Sequence, residues 1–307
     1  MRVLFIFMDG IGLGEADPEA NPFARAPMPF FHSLLGGRSL LRDSTPYEGE
    51  RASLLPLDAN LGVQGLPQSA TGQAVLLTGR NIPAEIGYHY GPKPNREVAA
   101  TLQDGAIFGR LGAVGRRSAL LNAYPPRYFD GIDSGKRLYS SIPLAVTNAG
   151  LPLFTSDDLA AGRSLSADFT GHGWRQMPGF PEAPVYEPRE AGAKLAELAR
   201  DYDFSFFEYW ASDYAGHKQD MKWALDQLNS LDGVLEGLLG EWSDTDGLIL
   251  LTSDHGNMED LSVRRHTANP VPLLLFGSLE ARREFARSVT DLSHIAPAIW
   301  DLITNHP

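Results

Sequence analysis

Residues 247–258 read GLILLTSDHGNM, an apolar run from Gly247 to Thr252 that closes on Ser253, Asp254 and His255. An unbroken apolar run of this length, bounded by polar groups, reads as a strand buried on both faces, the strand type of a parallel sheet. Its polar end is then a loop at the strand's C-terminal end, where ligands sit in open α/β sheets. Asp254 and His255 together offer a hard oxygen and a borderline nitrogen to a divalent ion. A further imidazole, His266, follows His255 by eleven residues. An isolated Asp-His pair after a strand is also an ordinary loop cap, so its meaning depends on partners elsewhere in the chain.

Outward from this strand the α/β rhythm is regular. Upstream lie a helix over 189–200, a strand over 204–210 (FSFFEYW) and a helix over 219–239. Downstream lie a strand over 271–276 (VPLLLF) and helices over 279–288 and 293–303. The start of the chain adds a buried strand over 2–8 (RVLFIFM), a short helix over 28–36 and a strand over 52–57. A further helix runs through Ala74 to Leu77, with Ser69 or Thr71 as its N-cap and Gly79 as its end. This alternation predicts an α/β fold, a mainly parallel sheet with helices on both faces. Residues 81–185 differ, with scattered Pro, Gly, Tyr and Arg. Only 95–102 and 107–115 read as helix there, and 116–124 as strand. The expected division is therefore a core of residues 1–80 plus 186–307, with 81–185 as a small inserted cap or substrate-recognition lobe. Gly10, Gly12 and Gly14 lack the dinucleotide-binding spacing, and Pro18, Pro22 and Pro27 stand where a crossover helix would begin.

Composition narrows the partners. The net charge of −12 over 307 residues disfavours a phosphate backbone or an anionic membrane surface, so a small molecule is expected and nucleic acid is not. The chain has no cysteine, which leaves Asp, Glu, His and hydroxyls for any metal site. No apolar stretch approaches the roughly 18 residues that span a bilayer. The opening MRVLFIFM is too short in its apolar part for a leader and lacks a small-residue cleavage site, so a cytoplasmic location is expected. The sequence leaves the oligomeric state open.

Other strand ends carry ligand types as well. Asp9 follows the first strand. Asp213 and His217, in WASDYAGHKQD, follow FSFFEYW, and their i, i+4 spacing puts both on one face if that segment is helical. His266 precedes VPLLLF. Singly, Asp9 reads as a turn residue, Asp213 and His217 as a surface pair and His266 as a solvated loop residue. Together they supply enough ligands for two ions at one sheet edge. The Ser69 hydroxyl, at the mouth of a helix whose free amides favour anions, is a candidate nucleophile, with Thr71 as its competitor.

The pattern resembles the alkaline phosphatase superfamily of metalloenzymes, above all its branch of cofactor-independent phosphoglycerate mutases and phosphopentomutases. In that branch the nucleophile is followed by Gly at the third position and by a small residue and Gly at the ninth and tenth. From Ser69 this frame meets Gly72, Thr78 and Gly79, and from Thr71 it breaks. SDHGNMED followed by HTANPVP is similar to the mutases almost residue for residue, and the spacing in DYAGH fits. The resemblance implies an alkaline phosphatase-like fold and two divalent metal ions, manganese ahead of zinc. Asp9, Ser69, Asp254 and His255 would hold one ion, and Asp213, His217 and His266 the other. It also implies phosphoryl transfer on a small phosphorylated metabolite through a phosphoserine on Ser69, with either a phosphomutase or a phosphatase outcome. Two departures stand out: the interval after the nucleophile helix is short and carries no alignable motif, and the gap from His255 to His266 is shorter than in the long mutases. The substrate therefore does not transfer with the resemblance. Candidate substrate contacts in the lobe are His89, Lys93, Arg96, Arg127, His172 and Arg175, with Tyr88, Tyr90, Tyr124 and Tyr128 lining a pocket or packing. Alternatives are a sulfate or phosphonate ester hydrolase on the same scaffold and a metal-binding protein without turnover.

Overall fold

The computed structural model describes residues 1–305, so the last two positions of the expected 186–307 segment lie outside the described residues. Seven strands, β1 (Arg2–Met8), β2 (Tyr47–Glu48), β3 (Ala52–Leu57), β4 (Ser118–Leu120), β5 (Phe204–Tyr209), β6 (Gly247–Thr252) and β7 (Val271–Phe276), form one sheet in the order β2-β3-β7-β6-β1-β5-β4. β6, β1, β5 and β4 are parallel. β7 runs antiparallel to β6, β3 to β7, and β2 to β3. The expected α/β fold is present, with an antiparallel wing added. A parallel neighbour requires a crossover connection, usually a helix. Residues 253–270 contain none, so the chain returns directly and β7 runs back alongside β6.

The sheet is covered on both faces, as continuous apolar strands require. Along β1, Val3, Phe5 and Phe7 pack with the Ser69–Thr78 and Ile295–Asn305 helices. Leu4, Ile6 and Met8 face the Pro188–Ala199 and Met221–Glu241 helices on the other side. Each large apolar side chain buried in this way contributes about 1.5–3 kcal/mol, which holds the strand ends in fixed relative positions.

Part of the 81–185 stretch is built into this frame. β4 pairs with β5 at the sheet edge. Val98, Ile107 and Ile142, from three separate helices, share a core with the Ser69–Thr78 helix. The remainder has a small cluster of its own around Leu159 and Trp174. Among the described residues no helix is long and apolar enough to cross a membrane.

One local expectation is corrected. Gln68 stands at the N-cap of the Ser69–Thr78 helix and makes no side-chain cap bond, so neither Ser69 nor Thr71 is the cap. The Thr71 hydroxyl donates to the carbonyls of Gln68 and Tyr90 and accepts from the Tyr90 amide at 3.1 Å, tying the helix to the 88–90 loop. Gly79 ends the helix in the left-handed region, φ 74°, as expected.

Candidate metal centre

Strand direction brings distant segments to one edge. β1 and β6 end there, at Asp9 and at Ser253 to His255. β5 ends there too and leads into the Ala211–Lys218 helix, which carries Asp213 and His217 one turn apart. β3 runs in the same sense as β1, so its exit loop delivers Ser69 at the start of its helix. His266 arrives from the opposite direction: because β7 is antiparallel, its beginning lies where β6 ends.

The seven residues converge. Ligand atoms of Asp213, His217 and His266 lie within 4.8 Å of one another, and so do those of Asp9, Asp213 and His255. Asp213 therefore stands between the two groups. His255 Nε2 is 3.3 Å from Asp9 Oδ1 and 3.6 Å from Asp254 Oδ2. His217 Nε2 is 3.3 Å from Asp213 Oδ2. The Ser69 hydroxyl is 3.0 Å from His255 Nε2.

The donor set fits cations. All three imidazoles have Nδ1 against a backbone carbonyl: His217 on Arg264 at 2.8 Å, His266 on Pro67 at 2.8 Å and His255 on Gly256 at 3.4 Å. A carbonyl only accepts, so each Nδ1 carries the proton and each neutral ring turns a bare Nε2 inward. The Nε2 atoms of His217 and His266 are 3.3 Å apart, and the buried Asp9 Oδ1 has no hydrogen-bond partner. Lone pairs and carboxylates facing one another repel unless a positive charge lies between them.

Proton affinities carry the same message. Burial, reinforced by the Asp254 and Asp213 carboxylates, holds Asp9 well above the usual carboxylate range. Burial, then Asp213, pushes Asp254 up to about 8. Burial, with His266 stacked against it, pushes His255 down to about 3. Burial also opposes ionisation of Asp213, but the His217 hydrogen bond, the His255 ring and Asn257 hold it at about 2. Asp213 raises His217 in turn, so that where no cation lies its Nε2 also takes up a proton and donates to that carboxylate. Without a cation, protons take up part of the charge.

Several supporting residues escaped the sequence reading. The Gln73 amide nitrogen lies 3.4 Å from Asp9 and 3.3 Å from Asp254. Asn257 donates to Asp213 at 2.6 Å. Glu259 accepts from the Gly12 and Asn257 amides and so locks the Asp254 loop against the Asp9 loop. Glu208, buried on β5, accepts from the Tyr124 hydroxyl, and burial holds its carboxyl above the usual range. A charged residue inside FSFFEYW was a legible signal for it, whereas Gln73 carried none.

Most of the candidates between 81 and 185 are engaged in structural contacts. His172 contacts Thr170, and Arg175 donates to the Ala183 carbonyl. Tyr88 donates to Glu97, and Tyr124 and Tyr128 pack ring on ring at 4.5 Å. His89 interacts with the backbone of Val63 and Asn60. Arg96 and Arg127 are exposed. Lys93 is exposed as well, but it lies within electrostatic reach of Glu208 and Asp9, which oppose the lowering of its pKa by partial desolvation and Arg137. A cavity of about 320 Å³ opens over the site, lined by Ser69, Asp213, His217, His266, Arg264 and Arg265 among others.

Residues 184–306 match the family model described as the metalloenzyme superfamily. That span holds Asp213, His217, Asp254, His255 and His266, but neither Asp9 nor Ser69. A 2,3-bisphosphoglycerate-independent phosphoglycerate mutase of Antithamnion sp. is 30% identical over 143 residues, 42% of this chain and 28% of that protein. The chain thus spans under a third of that relative's length. Among solved structures, the PH0037 protein of Pyrococcus horikoshii matches with a TM-score of 0.57 at 15% identity, covering 100% of this chain and 97% of that one. The alkaline phosphatase of the Antarctic bacterium TAB5 matches with a TM-score of 0.50 at 13% identity, covering 100% and 99%. At these identities the likeness is one of fold.

Proposed function

We propose that this metalloenzyme, alkaline phosphatase-like in fold and similar to the superfamily through residues 184–306, transfers a phosphoryl group from a small phosphorylated metabolite by way of Ser69. The observation that carries the reading is the ring of acceptor-only groups, three imidazole nitrogens and three carboxylates, around a serine at a helix start. Asp9, Ser69, Asp254 and His255 would hold one divalent ion and Asp213, His217 and His266 a second, with Asp213 in reach of both and manganese ahead of zinc. Bound there, divalent ions supply Lewis acidity, neutralising phosphoryl oxygens and favouring ionisation of a neighbouring hydroxyl.

The chain's own groups do the rest. The first-turn amides of the Ser69–Thr78 helix favour an anion beside Ser69 Oγ. That oxygen forms a bond to phosphorus as the bond to the substrate's ester oxygen breaks, leaving a phosphoserine. Water then releases phosphate, or a second hydroxyl of the retained substrate takes the group and gives an isomer. Thr71 is an unsuitable nucleophile because its hydroxyl is engaged with the Tyr90 backbone. In this reading residues 1–80 plus 186–307 are the catalytic core and 81–185 the recognition segment, with Lys93 within electrostatic reach of Asp9.

The test is a panel of phosphorylated metabolites with Mn²⁺, scored for both free phosphate and isomerised product. Ser69→Ala is expected to lower turnover on the order of a thousandfold or more while the ion assigned to Asp213, His217 and His266 is retained. Turnover surviving in that variant removes Ser69 from the role. Paired phosphate and sulfate esters of one alcohol separate phosphoryl from sulfuryl transfer.

A further inference from the structure

A second cavity, of about 360 Å³, lies along the outer edge of β4 and shares no lining residue with the metal centre. Arg116, Arg117 and Ser118 place it at the start of that strand, whereas the centre gathers where the parallel strands end. Its walls come from separate segments: Phe108 and Gly112 from the Ile107–Ala113 helix, Leu151 and Phe154 from the stretch after the Ser141–Asn148 helix, and Tyr202 from the turn before β5.

The strand edge is open at this point. The Arg117 carbonyl accepts from the Phe204 amide at 3.1 Å, and the Leu121 amide donates to the Phe206 carbonyl at 2.8 Å, so the odd-numbered residues bond to β5. Ser118 therefore turns its amide and carbonyl outward. Farther along, Leu165 and Phe154 take up the outer edge through Leu121, Ala123 and Tyr124. Beside Ser118 none of the described residues does so. The cations at the mouth differ from each other. Arg116 lies 3.5 Å from Asp203, whose other oxygen accepts from the Arg117 amide at 2.8 Å. The Arg117 guanidinium lies 5.4 Å from the centre of the Tyr202 ring and, among the described residues, makes neither a hydrogen bond nor an ion pair. An apolar cavity with a few convergent polar groups is the usual form of a small-molecule site.

We propose that this cavity is a second ligand site, which takes a flat aromatic carboxylate. Its aromatic walls, Phe108, Phe154 and Tyr202, suit a planar ring, and the planar fork of Arg117 suits a carboxylate. The outward backbone groups of Ser118 are open to a polar substituent on the ring. The site stands on the edge of the sheet and does not depend on the chemistry at the metal centre.

The experiment titrates the Mn²⁺-loaded full chain with 2-naphthoate and with the neutral 2-naphthamide, by calorimetry and by thermal stabilisation. One naphthoate per chain is expected to bind, with an affinity about fivefold or more above that of the amide, the factor that ~1 kcal/mol from an exposed ion pair supplies. Arg117→Gln should bring the two compounds to equal affinity. Gly112→Phe should abolish binding of both: a Cβ at Gly112 meets nothing within 4 Å, so the new ring enters the cavity without disturbing the helix. Failure of both compounds to bind at millimolar concentration overturns the proposal. Binding that survives Gly112→Phe lies elsewhere, the metal ions included, and overturns it as well. Equal affinities in the unmodified protein, or a preference that Arg117→Gln leaves intact, overturn the assignment of a carboxylate to Arg117.

Discussion

Asp213 belongs to both ligand groups, whereas His217, His266, Asp9 and His255 belong to one each. Asp213→Asn is therefore expected to weaken metal binding at both positions, whereas His217→Ala should weaken one. Metal stoichiometry after dialysis distinguishes the two, and equal losses in both variants would contradict a shared carboxylate. Asn257→Ala removes only the amide that orients Asp213. Losing such an outer partner costs about 10–100-fold in metal affinity, which competition with a chelating dye would measure. The identities of the converging residues were legible in sequence because Asp and His at polar strand ends are conspicuous after apolar runs. Asn257 and Gln73 were not, since an amide reveals its role only through the carboxylate it touches.

Elements show where local reasoning held and where tertiary contacts overrode it. The buried strands were readable because burial on both faces leaves them almost wholly apolar, with Glu208 in β5 the charged exception. The start of the Ser69–Thr78 helix was misread as a side-chain cap, because a hydroxyl near a helix start is usually local and here reaches 186 residues away to His255. The same helix lies very close to the β6 loop at Gly72, where a Cβ would come 2.8 Å from Asp254 Cβ and its carbonyl oxygen. Helix propensity alone predicts that Gly72→Ala stabilises, by about 0.5–1 kcal/mol. The crowding predicts the opposite sign, a loss of about 1–3 kcal/mol together with weakened metal binding. A denaturation midpoint that rises in this variant would show that the contact is looser than described.

At the scale of the molecule, the centre couples stability to pH when metal is removed. Folded Asp254 keeps its proton up to about pH 8, whereas an ordinary carboxyl ionises near 3.8. The folded state then binds more protons across that interval, so stability falls as pH rises through it. His255 works oppositely at lower pH: held at about 3 instead of 6.5, its contribution is lost as pH falls through that range. Above about 6.5 the first effect remains, and Asp9, Glu208 and His217, all shifted upward, share its sign. The chelated protein is expected to lose on the order of 1–2 kcal/mol between pH 6.5 and 8, and Mn²⁺ should abolish that slope. Thermal denaturation at three pH values with chelator and with Mn²⁺ measures it, and a flat or rising midpoint in chelator contradicts it.

By itself the sequence determined the class of sheet and the supply of ligand types at its strand ends, because hydrophobic periodicity and loop polarity are properties of short segments. Tertiary structure alone decided how those ends meet. The direct return from β6 to β7 made the last strand antiparallel and so brought His266 to the common edge. Strand order put Asp213 between two ligand groups. Those outcomes depend on which strands become neighbours, and neighbours are chosen by the packing of the whole core.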